Sequence, residues 1–393
     1  VNLLKFLHQR GFCSALLQPA LFSGLNFLPV SVFVHQPGQL VISLPESCLL
    51  TTSTVLDSYL GRYIKSWKPR LSPLLALCVF LVCEQHRGEA SDWFPYIDVL
   101  PTAYTCPACF SDDVMALLPT MQSKPGLYSR VYHVSSSRWA WCSVNTRSVF
   151  MSHPSNNFLS GPDNYALAPF LDLLNHRPDV QVKAGFNDVT RCYEIRSVSG
   201  TLRYQQAFIN YGSHDNQRLL LEYGFVAPAN PHSVVYVDTA VLILDTAICK
   251  DVFCAPPASN LTVSSEGPSW RLMTALRLLS LPQTHQWKAV LLGQLVCEER
   301  EQWSVWTAKT LCQRLLQDTC RALDKVHAHK LNSSKSLINC LQFSLISTWW
   351  QQVLEQKYSC RLILPLIMLL IKQGRKQVSG KEMEKKISPT KGS

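Results

Sequence analysis

Ala-Pro-Phe-Leu-Asp-Leu-Leu-Asn-His (Ala168–His176), Ala-Phe-Ile-Asn-Tyr-Gly (Ala207–Gly212) and Asn-Gln-Arg-Leu-Leu-Leu-Glu-Tyr-Gly-Phe-Val (Asn216–Val226) all lie within Leu167–Val226, the stretch that decides the fold. Each is a polar island in apolar sequence. Leu171, Leu173 and Leu174 form an apolar helical turn ending on Asn175 and His176, which sets an amide and an imidazole against a core. Such groups are costly to bury without hydrogen bonds, so fixed partners must meet them. The residues before Tyr211 read as a short strand, and Gly212 lets the chain turn sharply beside the phenol. Asp215 is placed to cap a short helix whose apolar face is Leu219, Leu220 and Tyr223, with Gly224 closing it.

Outside this stretch, composition sets the class. A chain of 393 residues suffices for two ordinary domains, and 47% hydrophobic against 16% charged residues excludes a disordered chain. The formal charge is +10, but Lys372–Ser393 holds seven Lys or Arg against two Glu, so +5 of it sits in the tail. The body requires no nucleic-acid surface, and sequence-specific nucleic-acid binding is not expected. The tail reads as a solvated basic run, with nuclear import or nucleosome attraction as the sharper alternative. Fifteen cysteines, scattered through apolar contexts such as Cys78, Cys83, Cys142, Cys297 and Cys312, read as thiols of a reduced, intracellular protein. Cys106-Pro-Ala-Cys109 has no second pair at zinc spacing, so no metal is expected. Phe12–Val34 is uncharged but interrupted by Pro19, Gly24, Asn26 and Pro29, and Leu362–Ile371 is too short to span a bilayer; no membrane association is expected.

Along the chain, Val1–Leu28 opens as a helix, and Leu40–Leu50 contains a strand ending at Pro45. Ser53–Trp67 and Ser72–Cys83 read as helices, the second with Ser72 as cap and Pro73 as first helical residue. Asp92–Leu100 is aromatic-rich and predicted to pack on them. Ser111–Leu118 is a short helix, Met121–Ser137 is irregular, and Trp139–Phe150 is helical. Val180–Arg203 predicts a hairpin turning at Asn187-Asp188. Past Ala227-Pro228 the short strands are expected to stop. Trp270–Leu281, Trp287–Arg300, Val305–His327 and Leu337–Gln356 are helical by period, with Leu276, Leu279, Leu311, Leu315 and Leu323 as core positions.

Val144-Asn145-Thr146-Arg147, Leu167–His176, Phe208–Gly212 and Asn216–Val226, in this order and at this spacing, resemble the SET-domain protein lysine methyltransferases of the Rubisco large-subunit methyltransferase-like class. Ile42–Thr51, Pro73–Val82, Trp93–Cys109 and Gly267–Leu279 are similar too. The resemblance implies an α+β fold. A SET domain of short strands would cover residues 30–226, with a helical insertion at about 111–138 that is shortened here. An N-terminal segment, 1–29, would precede it. An all-helical substrate-binding domain, 227–357, would follow, then an apolar stretch and basic tail, 358–393. The resemblance further implies methyl transfer from S-adenosylmethionine to a lysine of a protein substrate, a histone tail or another protein, in nucleus and cytoplasm.

That chemistry needs few groups. The sulfonium carries an activated methyl, so the protein must align a neutral amine opposite it. A free lysine, with a pKa near ~10.4, must first lose a proton. By resemblance, Tyr211 is the catalytic residue: it orients the amine, helps electrostatically at the methyl and adjoins the cofactor. Asn175 and His176 bind the cofactor, Asp172 receives the His176 ring N–H or orients the loop, and Arg147 pairs the cofactor carboxylate. Phe225 and Tyr223 wall the cofactor and lysine pockets respectively. Read one by one, the same residues are also a strand-end tyrosine, a loop asparagine, a core histidine, a surface carboxylate, a salt-bridged arginine and core aromatics.

Two departures stand out. The family's Gly-x-Gly-Leu loop survives only as Gly24-Leu25, and the insertion shrinks to Met121–Ser137. They favour one alternative, a catalytically impaired SET-fold interaction protein. The other alternative is a protein-histidine methyltransferase, since one branch of the class modifies that side chain.

Overall fold

Leu3, Phe6 and Leu7, three and four residues apart, give helix α1 (Asn2–Gln9) one buried face. The computed structural model describes residues 2–14, 16–21, 27–31, 37–110, 112–115, 135–198, 200–237, 261–281 and 287–332. They divide into two compact units, Val1–Pro231 and His232–Ser393. The N-terminal residues are part of the first unit's core, not a segment apart from it: Leu3, Phe6, Leu7, Phe12 and Leu17 join the same apolar cluster as Leu44, Leu77 and Phe170. The uncharged stretch after Phe12 contains two antiparallel strands, β1 (Leu17–Leu21) and β2 (Phe27–Ser31). Among the described residues no helix is long and apolar enough to cross a membrane. Most of the Gly24 remnant loop and of the shortened insertion lies outside the described residues, as do Leu337–Gln356 and the basic tail.

The main sheet of the first unit has the order β3-β8-β7, from β3 (Leu40–Pro45), β7 (Val182–Asn187) and β8 (Cys192–Ser197). Its register places Ile42 opposite Ile195 and Leu44 opposite Tyr193, so alternate residues of β3 and β8 point into the core. On β7 the alternation fails, and Ala184 is exposed. The expected helix Ser53–Trp67 is broken at Ser58 into α2 (Thr52–Asp57) and α3 (Gly61–Ser66). Thr51 and Thr54 form a reciprocal capping box that starts α2. Helix α4 (Pro73–Arg87) begins as expected, the Ser72 hydroxyl accepting from the Leu75 N–H at 3.3 Å and Pro73 standing at the first helical position. Short helices α5 (Phe94–Ile97) and α6 (Asp112–Met115) lead to α7 (Ser135–Arg147). Helix α7 stops earlier than expected, because Ser148–Phe150 is strand β4, paired antiparallel with β5 (Tyr165–Leu167).

The second unit carries a small antiparallel sheet, β10 (Val235–Tyr236), β11 (Thr262–Ser264) and β12 (Gly267–Pro268), which corrects the expectation of an all-helical domain. Strands of two and three residues offer no periodicity to read. Its helices among the described residues are α9 (Trp270–Leu279), α10 (Trp287–Leu291) and α11 (Glu298–Asn332); α8 belongs to the site below. Trp287–Arg300 is not one helix: the chain leaves α10 through Gly293, at φ 72°, and restarts at Glu298. Leu272 and Leu276 of α9 pack with Val305, Ala308 and Leu311 of α11. Arg277 bridges Glu301 through two bonds of 2.7 and 2.6 Å.

Candidate active site

Two strands of two residues each bring the polar islands together. Strand β6 (Asn175–His176) pairs in parallel with β9 (Phe208–Ile209), Asn175 opposite Phe208 and His176 opposite Ile209, and the Arg177 N–H continues the ladder to the Ile209 carbonyl at 2.9 Å. His176 and Tyr211 therefore emerge on neighbouring chains. The Tyr211 N–H donates to His176 Nδ1 at 3.1 Å, which places the proton of the neutral ring on Nε2. The Tyr211 hydroxyl donates to the Leu174 carbonyl at 2.6 Å, and the Tyr211 and His176 ring centroids lie 5.2 Å apart. Asn175, His176 and Tyr211 thus stand side by side. One element of the sequence reading is corrected: Asn175 is exposed, its amide open to a ligand and not packed in a core.

The third island supplies two more rings. Asp215 caps α8 (Asn216–Arg218), its carboxylate accepting from the Gln217 and Arg218 N–H groups at 2.8 and 3.1 Å. The helix then widens into a π-turn, Leu219–Tyr223, whose Leu219 and Leu220 are fully buried. Gly224 ends it at φ 78°. A Cβ there would stand 2.8 Å from the Cys106 backbone nitrogen, so this turn accepts glycine alone. Asn216 clamps the loop shut, exchanging bonds of 3.0 and 3.1 Å with the Ala227 backbone. The result sets Tyr223 at 5.1 Å and Phe225 at 6.4 Å from Tyr211, centroid to centroid, with Phe225 at 6.0 Å from His176.

Arg147 and Asp172 stand behind the Asn-His bend. Arg147 Nη1 donates to the Asp172 carbonyl at 3.0 Å and approaches its carboxylate at 3.4 Å, while the Tyr96 hydroxyl donates to the same carboxylate at 2.9 Å. Asp172 is therefore bound by Arg147 and Tyr96, not by the His176 ring, and its side chain is 1% exposed. Burial raises its pKa, and Arg147 only partly offsets that. Burial opposes the charge on Arg147, but Asp172, Tyr104 and Tyr96 outweigh it and hold the guanidinium cationic. Arg147 turns its Nη1 inward to Asp172. Its Nε and Asp172 Oδ1 are buried without a hydrogen-bond partner. The backbone leading into the bend is strained: Phe170, wholly buried, sits at φ 76° and is held by the Phe12 ring at 5.1 Å.

Several residues of the site escaped the sequence reading. Tyr96 lies 76 residues from Asp172, in a segment legible only as aromatic packing. Asn145 donates its amide to the Glu222 carbonyl at 2.6 Å and the Thr105 hydroxyl to the Gly224 carbonyl at 2.6 Å, so α7 and the loop before α6 hang the Tyr223–Phe225 turn between them. His214 stacks on Tyr223 at 5.7 Å and 30°. Burial and Arg218 depress its pKa, so it is neutral at physiological pH. Burial raises the Tyr211 pKa, so that phenol stays protonated and does not serve as a base at neutral pH. Among the described residues no group of three or more His, Cys, Asp or Glu is placed to hold a metal ion.

No family model matches the chain. It is 42% identical to SET domain-containing protein 4 of Homo sapiens over 90% of this chain and 89% of that protein. Against the protein of the same name from Mus musculus it is 44% identical, over 87% and 88%. The structure of Rubisco LSMT bound to AdoMet is similar in fold, with a TM-score of 0.62 at 17% identity, covering 94% of this chain and 92% of that one.

Proposed function

Because this chain belongs to the SET domain-containing protein 4 family of SET-domain proteins, we propose that it is a protein-lysine N-methyltransferase using S-adenosylmethionine. The observation that carries this reading is the joining of β6 and β9, which unites the Asn175–His176 bend, the Tyr211 phenol and the rings of Tyr223 and Phe225. The polar atoms left over suit the cofactor. Arg147 Nε and Asp172 Oδ1, a donor and an acceptor without partners, lie behind the exposed Asn175 amide, as a ligand with an amino-acid end needs.

When bound, S-adenosylmethionine supplies an activated methyl on sulfur. Asn175, His176 and Phe225 would hold the cofactor. Arg147 fixes the bend through the Asp172 carbonyl with Nη1, and its Nε and Asp172 Oδ1 would be left to meet the amino-acid end of the cofactor. The Tyr211 hydroxyl donates its hydrogen bond to the Leu174 carbonyl, which leaves its oxygen lone pairs to receive an N–H of the incoming amine. The tyrosine stays neutral, so the lysine proton leaves to water, and the loss of hydration between Tyr211, Tyr223 and Phe225 favours the uncharged amine over the ammonium.

The substrate in this reading is a lysine of a histone tail or of another protein, met in nucleus or cytoplasm. The basic run Lys372–Ser393, suited to nuclear import or nucleosome attraction, supports the nuclear part. Calorimetric titration with S-adenosylmethionine, followed by mass spectrometry of a methylated protein extract, tests the proposal. Saturable binding and methyl groups on lysine are expected. Absent binding would make the chain a SET-fold interaction protein, and methyl groups on histidine would overturn the substrate assignment.

A further inference from the structure

The thiols of the Cys106-Pro-Ala-Cys109 motif take no part in the site described above, yet they meet a third one on α7. Cys109 Sγ lies 3.3 Å from Cys142 Sγ, and Cys142 also hydrogen-bonds Cys106. Cys109 is half-buried, whereas Cys106 and Cys142 are fully buried, so Cys109 is the thiol that solvent reaches. We propose that Cys109 and Cys142 form a peroxide-oxidisable dithiol whose disulfide fixes the loop before α6 to α7. The Cys109 sulfur, as thiolate, attacks one oxygen of hydrogen peroxide; the O–O bond breaks, the sulfur becomes a sulfenic acid, and the departing hydroxide leaves as water with the thiol proton. The Cys142 sulfur then displaces hydroxide from it, which leaves as a second water with the thiol proton. Two thiols thereby lose two protons and two electrons, and one peroxide becomes two waters. The hydrogen bonds among the three thiols, and then burial, hold both Cys109 and Cys142 above the ordinary range, so the reaction is slow without a catalyst and the pair responds to sustained oxidation.

The position of the pair gives the bond its consequence. The loop that carries Cys109 holds the Gly224 carbonyl through Thr105 and lies under Gly224 at Cys106, while the helix that carries Cys142 holds the Glu222 carbonyl through Asn145. Tyr223 is therefore slung between the two sulfur-bearing elements. Closing the sulfurs from 3.3 Å to the ~2.05 Å of a disulfide pulls those elements together by about 1 Å. A misplacement of about that size costs up to ~10²-fold in rate. The effect on turnover rests on the methyltransferase reading; the bond itself does not.

The test treats the full chain with hydrogen peroxide, blocks free thiols and maps disulfides by mass spectrometry. A Cys109–Cys142 bond reversed by dithiothreitol is expected, with the exposed Cys13 and Cys297 reporting simple surface oxidation. The oxidised protein should melt about 5 °C higher, because the bond closes a loop in the unfolded chain. Its kcat should fall about tenfold. Cys109→Ser and Cys142→Ala should lose all three effects, and Cys106→Ser should keep them. No bond, a bond to Cys106 instead, or an equal change in wild type and Cys109→Ser would overturn the proposal. A protein without turnover before oxidation would count against the methyltransferase reading, while the mapped bond and the melting shift would still decide this one.

Discussion

Replacing Tyr211 by Phe removes one oxygen and little else. The ring stays between His176 and Tyr223, at centroid distances of 5.2 and 5.1 Å, so the aromatic wall survives. What is lost is the 2.6 Å bond to the Leu174 carbonyl, worth about 1 kcal/mol of stability. For a unit the size of Val1–Pro231 that is a fall of roughly 2–4 °C in Tm. The catalytic loss should be far larger. A preorganised polar group aimed at the reacting centre contributes about 2.7–4 kcal/mol, or ~10²–10³ in kcat. Because that contribution is made at the amine and not at the cofactor, S-adenosylmethionine affinity should stay within about twofold, a difference below ~0.5 kcal/mol. Single-turnover methyl incorporation, read beside calorimetric affinity and a melting curve, separates the three quantities. A kcat within about threefold of wild type would refute the role assigned to the phenol, and a parallel collapse of cofactor affinity would show that the hydroxyl only holds the bend together.

Three other perturbations bear on the same site. His176→Ala removes the acceptor of the Tyr211 N–H and should weaken S-adenosylmethionine binding about tenfold by calorimetry; unchanged affinity would take His176 out of the cofactor set. Arg147→Met leaves the buried Asp172 carboxylate without its cation and should cost about 3–5 kcal/mol in chemical denaturation, with Asp172→Asn in the same chain recovering part of it. His214 has a pKa depressed below 6.5 in the folded state, so the unfolded chain binds its proton first and stability falls as pH drops below about 6.5; Tm measured from pH 7 to 5 should show this loss, and His214→Gln should lessen it.

Local chemistry was legible and distant partnership was not. The Ser72 and Asp215 caps and the Gly224 stop each follow from a few neighbouring residues, and the structure places them as read; the hairpin is present too, but Asn187 still pairs with Cys192 and the turn falls on Asp188–Arg191. Asp172 was read toward His176, four residues on, because sequence spacing offers only near neighbours; its real partners, Arg147 and Tyr96, arrive from other elements. The second unit's sheet eluded reading because its strands are too short for an alternating pattern. The break at Ser58 is another local event that apolar spacing conceals, since its hydroxyl turns back to the Val55 carbonyl at 2.7 Å and ends the helix.

The parallel splice between β6 and β9 joins positions 33 residues apart in the chain, and between them β7 and β8 run out and back in a different sheet. The pocket is consequently indifferent to the length of that excursion. Its tip, where Val189 is 93% exposed, is a natural port for grafting a fluorophore or an affinity handle, which would ride on the protein without touching the machinery it reports on.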